Sequence, residues 1–244
     1  MSCPKDGRMP NEWMDKTIRN IVWDMDGTLM DSLQDLMLAV NHALGKYGMP
    51  ERTLEQVRRS VGNGVRRLVV LSVPGGEGNP LFQAVFDEFR SWYLLHCEDH
   101  TAPYDGIPEL LHELRTHGYR MAIVSNKIQE GIDELHSRWF SDTIDVAIGE
   151  RPGIARKPAA DMVRLALHEM GAGPGDSVYI GDSDVDLATA RNSGLPCISV
   201  LWGFRTREEL TEAGADVFAG KPQEILSILE DNPAVDRRCR IHGK

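Results

Sequence analysis

The chain has 244 residues, of which 41% are hydrophobic, and carries a formal net charge of −10 at pH 7. That length buries a substantial core and fits one large domain, or one domain with a smaller insertion, better than two equal units. The acidic balance excludes loose attachment to nucleic acid, which needs Lys and Arg to displace counterions, and no apolar stretch approaches the roughly 20 residues that span a bilayer. The N-terminus "MSCPKDGRMPNEWMDK" lacks the apolar centre of a signal peptide, and the four cysteines (Cys3, Cys97, Cys197, Cys239) are scattered without metal-ligand spacing. Reduced thiols in a cytoplasmic protein, with neither membrane nor nucleic acid as partner, are therefore expected.

In chain order, residues 1–17 read as a tail and "NIVWD" (20–24) as a first strand, apolar and rich in β-branched residues. Residues 33–100 then offer only helical periodicity, in "LQDLMLAVNHALGKYG", "TLEQVRRSV", "VRRLVVLSV" and "LFQAVFDEFRSWYLLH". This is an inserted helical module, with exits near Asp31 and near "TAPYDGIP" (101–108). Beyond it, strand-like "RMAIVSN" (120–126), "VAIG" (146–149), "SVYIGD" (177–182) and "CISVLWG" (197–203) alternate with helical "EGIDELHSRW", "AADMVRLALHEMG" and "VDLATARNSG". The last two close on Gly, where a helix ends. Alternation of this kind predicts an α/β fold, a Rossmann-like doubly wound parallel sheet built from residues 18–32 and 101–231, with 232–244 as a second tail.

In open parallel sheets, ligands collect beyond the carboxyl ends of the strands, where strand order reverses. Polar residues cluster at those ends: Asp24 and Asp26 after the first strand, Ser125, Asn126 and Lys127 after the second, and "GDSDVD" (181–186) after a later one. The period of a strand puts Asp24 and Asp26 on one side, and Gly27, followed by Thr28, frees the chain to turn backbone amides toward a ligand. Two carboxylates held together are costly unless a cation or a shared proton relieves them. Magnesium fits, since it takes one or two carboxylates along with waters and phosphate oxygens. Asp182 supplies a further carboxylate, and Asp186 lies four residues on, whereas Asp184 points elsewhere. On its own, "GDSDVD" also reads as a turn with helix-capping aspartates. Phosphoryl transfer accounts for the whole set, with one carboxylate as nucleophile, the other as acid and base, and Lys157, Ser125 and the Asn126 amide gathered around the phosphoryl oxygens.

Taken in order, "DMDGT", "SNK", "RKP" and "GDSDVD" resemble the four motifs of the haloacid dehalogenase superfamily of phosphotransferases, over about residues 19–229. The resemblance implies that Asp24 is the nucleophile, Asp26 the acid and base, and Ser125 and Lys157 the phosphate contacts. It also implies Mg2+ held by Asp24, the Asp26 carbonyl and Asp182, with Asp186 supporting, and it makes residues 33–100 a helical cap. Within the superfamily the chain is most similar to phosphoglycolate phosphatases, which implies a small phosphate ester, 2-phosphoglycolate, as substrate. On that reading "VGNGV" (61–65) drapes over the substrate, with Gly62, Asn63 and Gly64 offering donors to a carboxylate and Arg66 or Arg67 nearby. A sugar phosphate, nucleotide or pyrophosphate phosphatase, a mutase, and more remotely a non-catalytic binding protein on the same scaffold are the alternatives, acting as monomer or homodimer. The stripe Phe82, Phe86, Phe89, Trp92 and Tyr93 reads as packing, as do His96 and His100, which lack a third ligand of matching type.

Overall fold

The computed structural model describes residues 17–230. The tails expected at 1–17 and 232–244 lie outside these residues, apart from Thr17. Six parallel strands form the main sheet, in the order β5-β4-β1-β6-β7-β8. They are β1 (Asn20–Trp23), β4 (Arg120–Ile128), β5 (Val146–Glu150), β6 (Ser177–Gly181), β7 (Cys197–Val200) and β8 (Phe218–Ala219). The chain runs from β1 outward through β4 to β5, then returns to the other side of β1 for β6, so the winding reverses around β1. Helices α5 (Ile107–Thr116), α6 (Gln129–Trp139) and α10 (Glu224–Glu230) pack on one face with Ile21 and Trp23, while α7 (Asp161–Glu169) and α8 (Asp184–Ser193) pack on the other with Val22 and Tyr179. A short helix, α9 (Arg207–Glu212), joins β7 to β8. Alternate residues of β1 thus feed opposite cores, which is why a central parallel strand reads as a continuous apolar run.

Residues 33–100 form α1 (Leu33–Lys46), α2 (Leu54–Ser60), α3 (Gly64–Ser72) and α4 (Phe82–His96), as the periodicity predicts. These helices gather around an apolar cluster of their own, in which Leu36, Ala43, Val57, Leu68, Phe82 and Phe89 are buried. One buried member, Phe204, comes from the main sheet's side, in the loop after β7. No helix among the described residues is long and apolar enough to cross a membrane. Cys97 is buried and Cys197 half-buried, and both are free thiols.

The two exits of the insertion are tied by a pair of strands too short for periodicity to reveal, β2 (Met30–Asp31) and β3 (Ala102–Pro103), which pair antiparallel. A buried carboxylate reinforces the tie: Asp35, at the start of α1, accepts from the Thr101 amide (2.8 Å), the Thr101 hydroxyl (2.7 Å) and the His100 amide (3.0 Å). Burial by itself would raise the Asp35 carboxyl, but these donors outweigh it and hold the group below its ordinary value of 3.8. A carboxyl depressed by folding contributes stability that is present above the unfolded value and lost as pH falls through the folded one. Stability measured by denaturant titration should therefore drop on acidification below pH 3.8. At neutral pH, D35A, which strands several buried donors, should cost about 3 kcal/mol and lose that acid-dependent component.

Candidate active site

The carboxyl ends of β1, β4 and β6 converge where the winding reverses. Asp24 extends the β1 ladder by one residue, its amide donating to the Ile180 carbonyl at 2.9 Å. Met25 then points into one core, fully buried, so Asp24 and Asp26 share the other side and line one cavity. The chain turns back on itself at Gly27, whose φ of 90° an L side chain rarely adopts. A Cβ there would meet the Asp182 carboxylate at 2.5 Å and the Phe204 ring at 2.8 Å, so the glycine is also what lets β1 and β6 approach. The Gly27 and Thr28 amides are spent inside the turn, on the Met30 and Met25 carbonyls. Neither residue lines the cavity, and Thr28 instead turns its hydroxyl toward Asp182 at 3.5 Å. In this structure both residues thus brace the turn and Asp182 rather than the cavity wall.

Three buried carboxylates, Asp24, Asp182 and Asp186, bring oxygens within 4.8 Å of one another. Lys157 joins two of them, its Nζ lying 2.6 Å from Asp24 Oδ1, 2.8 Å from Asp186 Oδ1 and 3.1 Å from the Tyr179 hydroxyl. All three ammonium donors are used. Asp186 is doubly employed, because its other oxygen accepts from the Ser183 hydroxyl (2.6 Å) and amide (3.1 Å) in a capping box that starts α8. The helix-capping reading of "GDSDVD" thus holds for the same Asp186 that belongs to the carboxylate cluster. Asp184 is exposed and pairs with Arg205 at 3.4 Å.

One lysine does not balance three carboxylates. Burial, followed by the charge on Asp186, raises the Asp24 carboxyl well above its usual range, and the same two causes push Asp182 up to about 7. Asp186 is lowered: burial would raise it, but Lys157 and the Ser183 and Tyr179 hydroxyls prevail. A hard divalent cation fits this donor set, which is buried, all oxygen and short of positive charge. Asp24 and Asp182 keep lone pairs for it, whereas both oxygens of Asp186 are committed elsewhere, so Asp186 positions Lys157 more readily than it would ligate metal.

β4 pairs regularly with β5 as far as Val124, and a register shift follows that covers Ser125, Asn126 and Lys127. Irregularities of this kind re-aim side chains beside sites. All three residues are buried and line the cavity. Asn126 is a clasp, its Nδ2 donating to the Gly62 carbonyl (3.2 Å) and the Lys157 carbonyl (3.1 Å). Lys127 places its Nζ 3.2 Å from Asp26 Oδ1 and 2.5 Å from the Tyr93 hydroxyl of α4. Each aspartate of "DMDGT" thus has its own lysine. Burial opposes the Lys127 charge, but Asp26 and Tyr93 hold its ammonium above the usual lysine value.

The insertion closes the cavity from above with Leu36, Val61, Gly62, Gly64, Val65, Leu68 and Tyr93, leaving a volume of about 40 Å³. The loop after β7 locks this arrangement. The Phe204 amide donates to Asp182 Oδ2 at 2.6 Å, Arg205 donates to the Arg58 and Val61 carbonyls (3.0 and 2.7 Å), and Arg58 donates back to the Phe204 carbonyl. Trp202 anchors the loop's start through the Thr28 carbonyl at 2.9 Å.

Asp24, Asp26, Ser125, Asn126, Lys157, Gly62 and Gly64 come together around the cavity. Asn63 and Arg66 do not: both are exposed, and Arg66 lies over the Phe82 and Phe86 rings and pairs with Glu77 at 3.0 Å, because the α3 face that buries Leu68 turns it outward. His96 and His100 are held apart by separate partners, Asp99 and Asp35. Two residues of the site escaped the sequence reading. Tyr93 has the spacing of a packing residue, and Lys127, though adjacent to Ser125 and Asn126, carries no role in the sequence pattern.

The sequence profile of the Haloacid dehalogenase-like hydrolases matches residues 21–200. Among individual relatives, the phosphoglycolate phosphatase of Caulobacter vibrioides is 32% identical over 223 residues, covering 88% of this chain and 93% of that protein. The N-acetylmuramic acid 6-phosphate phosphatase of Pseudomonas aeruginosa is 27% identical, covering 87% and 95%. A solved structure from Lactobacillus delbrueckii subsp. bulgaricus, carrying a provisional phosphoglycolate phosphatase name, superposes with a TM-score of 0.84 at 32% identity, over 87% of this chain and 98% of that one. CbbY from Rhodobacter sphaeroides, solved with phosphate, gives 0.71 at 26%, over 88% and 100%. With its parallel sheet, its carboxylate cluster and this match across most of its length, the chain belongs to the haloacid dehalogenase-like hydrolases and is a phosphatase of that family.

Proposed function

We propose that the protein is a cytoplasmic, magnesium-dependent phosphomonoesterase that forms an aspartyl phosphate at Asp24 and acts on a small ester, 2-phosphoglycolate. The observation that carries this reading is the placement of Asp24, buried and held by Lys157 at 2.6 Å, in the same cavity as a second carboxylate, Asp26, that has a separate partner. Two carboxylates in different environments take different roles. An Asp24 oxygen attacks phosphorus and the bond from phosphorus to the ester oxygen breaks, with Asp26 giving its proton to the departing alkoxide. Asp26 then takes a proton from water, whose oxygen attacks the phosphorus of the aspartyl phosphate and returns Asp24 as a carboxylate. Lys157 and the Ser125 hydroxyl, both on the cavity wall, offer charge and a donor to the phosphoryl oxygens. Asp24, Asp182 and the Asp26 carbonyl would hold Mg2+, which when bound would supply Lewis acidity and offset the carboxylates' repulsion of an incoming dianion.

Relatives named for phosphoglycolate support the substrate. The P. aeruginosa relative is named for a sugar phosphate, which is the alternative substrate class.

D24N should lower kcat by about 10⁴-fold or more in a phosphate-release assay. Because folding raises the Asp24 carboxyl, neutralising it relieves repulsion, so the D24N melting temperature in chelator should equal or exceed that of the wild type. Excess chelator should abolish turnover and Mg2+ restore it, while Ca2+, with its larger and looser coordination, should not. Turnover in chelator, or an active D24N protein, would defeat the reading.

A further inference from the structure

The mechanism above uses Asp24, Asp26, Ser125 and Lys157, and leaves unused a second buried cation in the same cavity. Lys127 is 3% exposed, and its ammonium spends two of its three donors, on Asp26 and Tyr93. Lys157 is saturated by Asp24, Asp186 and Tyr179, and the arginines of α3 lie outside on the surface. The insertion's own contribution to the cavity wall is aliphatic apart from backbone and the Tyr93 hydroxyl. A buried ammonium costs free energy, and nothing in the chemistry at phosphorus calls for this one.

Its position relative to the reaction gives it a task. The ester oxygen must come within a hydrogen bond of Asp26 to receive its proton, and Asp26 Oδ1 is 3.2 Å from Lys127 Nζ. The ester oxygen therefore sits within about 6 Å of the ammonium when Oδ1 carries the proton, and within about 8 Å when Oδ2 does. A short group hanging from that oxygen is within reach of Lys127 and Tyr93, and the other insertion residues on the wall are aliphatic or glycine.

Resting on the phosphatase reading and deepening it, we propose that Lys127 and the Tyr93 hydroxyl are the specificity determinants, binding an anionic group one or two carbons beyond the ester oxygen. The substrate class is phosphate monoesters of small hydroxy acids, and the carboxylate is held by this pair in place of the glycine amides and Arg66 that the sequence suggested. Because Tyr93 belongs to the insertion and Lys127 to the core, a carboxylate bridging them also fastens one to the other.

Phosphoglycolate and 2-hydroxyethyl phosphate differ in carrying a carboxylate or a neutral hydroxymethyl group at the same position, so the ratio of their kcat/KM values reports the contact to the anion. The wild type should prefer phosphoglycolate. K127M, which keeps the aliphatic stem, should reduce that preference about 10- to 100-fold, and Y93F about 3- to 10-fold. Free glycolate should inhibit hydrolysis of 2-hydroxyethyl phosphate competitively in the wild type and at least tenfold more weakly in Y93F, a readout that does not depend on K127M folding. If both esters lose efficiency equally in K127M and Y93F, Lys127 only positions Asp26 and the proposal is overturned. A wild type that hydrolyses both esters but shows no preference overturns the specificity claim alone. A wild type that hydrolyses neither overturns the phosphatase reading and this inference together.

Discussion

Three carboxylates share one lysine beneath the carboxyl edge of the sheet, and the rest of the site is organised around holding that unbalanced charge in place. Lys157 spans Asp24 and Asp186. Its own backbone carbonyl is gripped by Asn126, which also grips the insertion at Gly62. Asp186 is fixed by the capping box of α8 and by the Tyr179 hydroxyl, so the start of a helix and the aim of Lys157 are set by one side chain. Removing Lys157 from between these two buried carboxylates would strand their charge, a change that typically costs about 3–5 kcal/mol. Asp24 and Asp182 stand on the other side of the balance, raised by burial and by Asp186, and are the carboxylates that gain most from a cation.

Much of this was legible in the sequence because periodicity and local order carry it. Strand and helix alternation placed the sheet, and the helical patterns of residues 33–100 matched α1 to α4. "DMDGT", "SNK", "RKP" and "GDSDVD" located the lysine and aspartate cluster, since a strand end is a local feature. What was missed depends on contact between distant segments. Tyr93 has the spacing of a packing residue, and Phe89 beside it is one, so nothing local says that its hydroxyl reaches Lys127, 34 residues on. Arg66 follows "VGNG" as a binding arginine would, but its direction is set by which face of α3 buries Leu68. The strands β2 and β3 have two residues each, below any period, and their pairing across the insertion is visible only in three dimensions. The close approach of the loop after β7 to Asp182 is not readable in the strand-like pattern of "CISVLWG": a Cβ on Gly203 would fall 2.3 Å from Asp182 Cβ, a constraint that appears as a single glycine.

The seam between insertion and core has an unequal dependence on side-chain identity. Three of its hydrogen bonds run from core side chains, Arg205 and Asn126, to main-chain carbonyls of Arg58, Val61 and Gly62. A carbonyl acceptor survives almost any replacement of the residue that bears it, so these ties tolerate sequence drift across the lid. The Lys127 to Tyr93 contact is of the opposite kind, since it ends on a hydroxyl that a single substitution deletes. Docking and selectivity are thereby separable under mutation. A lineage could exchange the residues facing the leaving group while the lid still seats, which provides a physical route by which one scaffold yields catalysts for differently shaped esters.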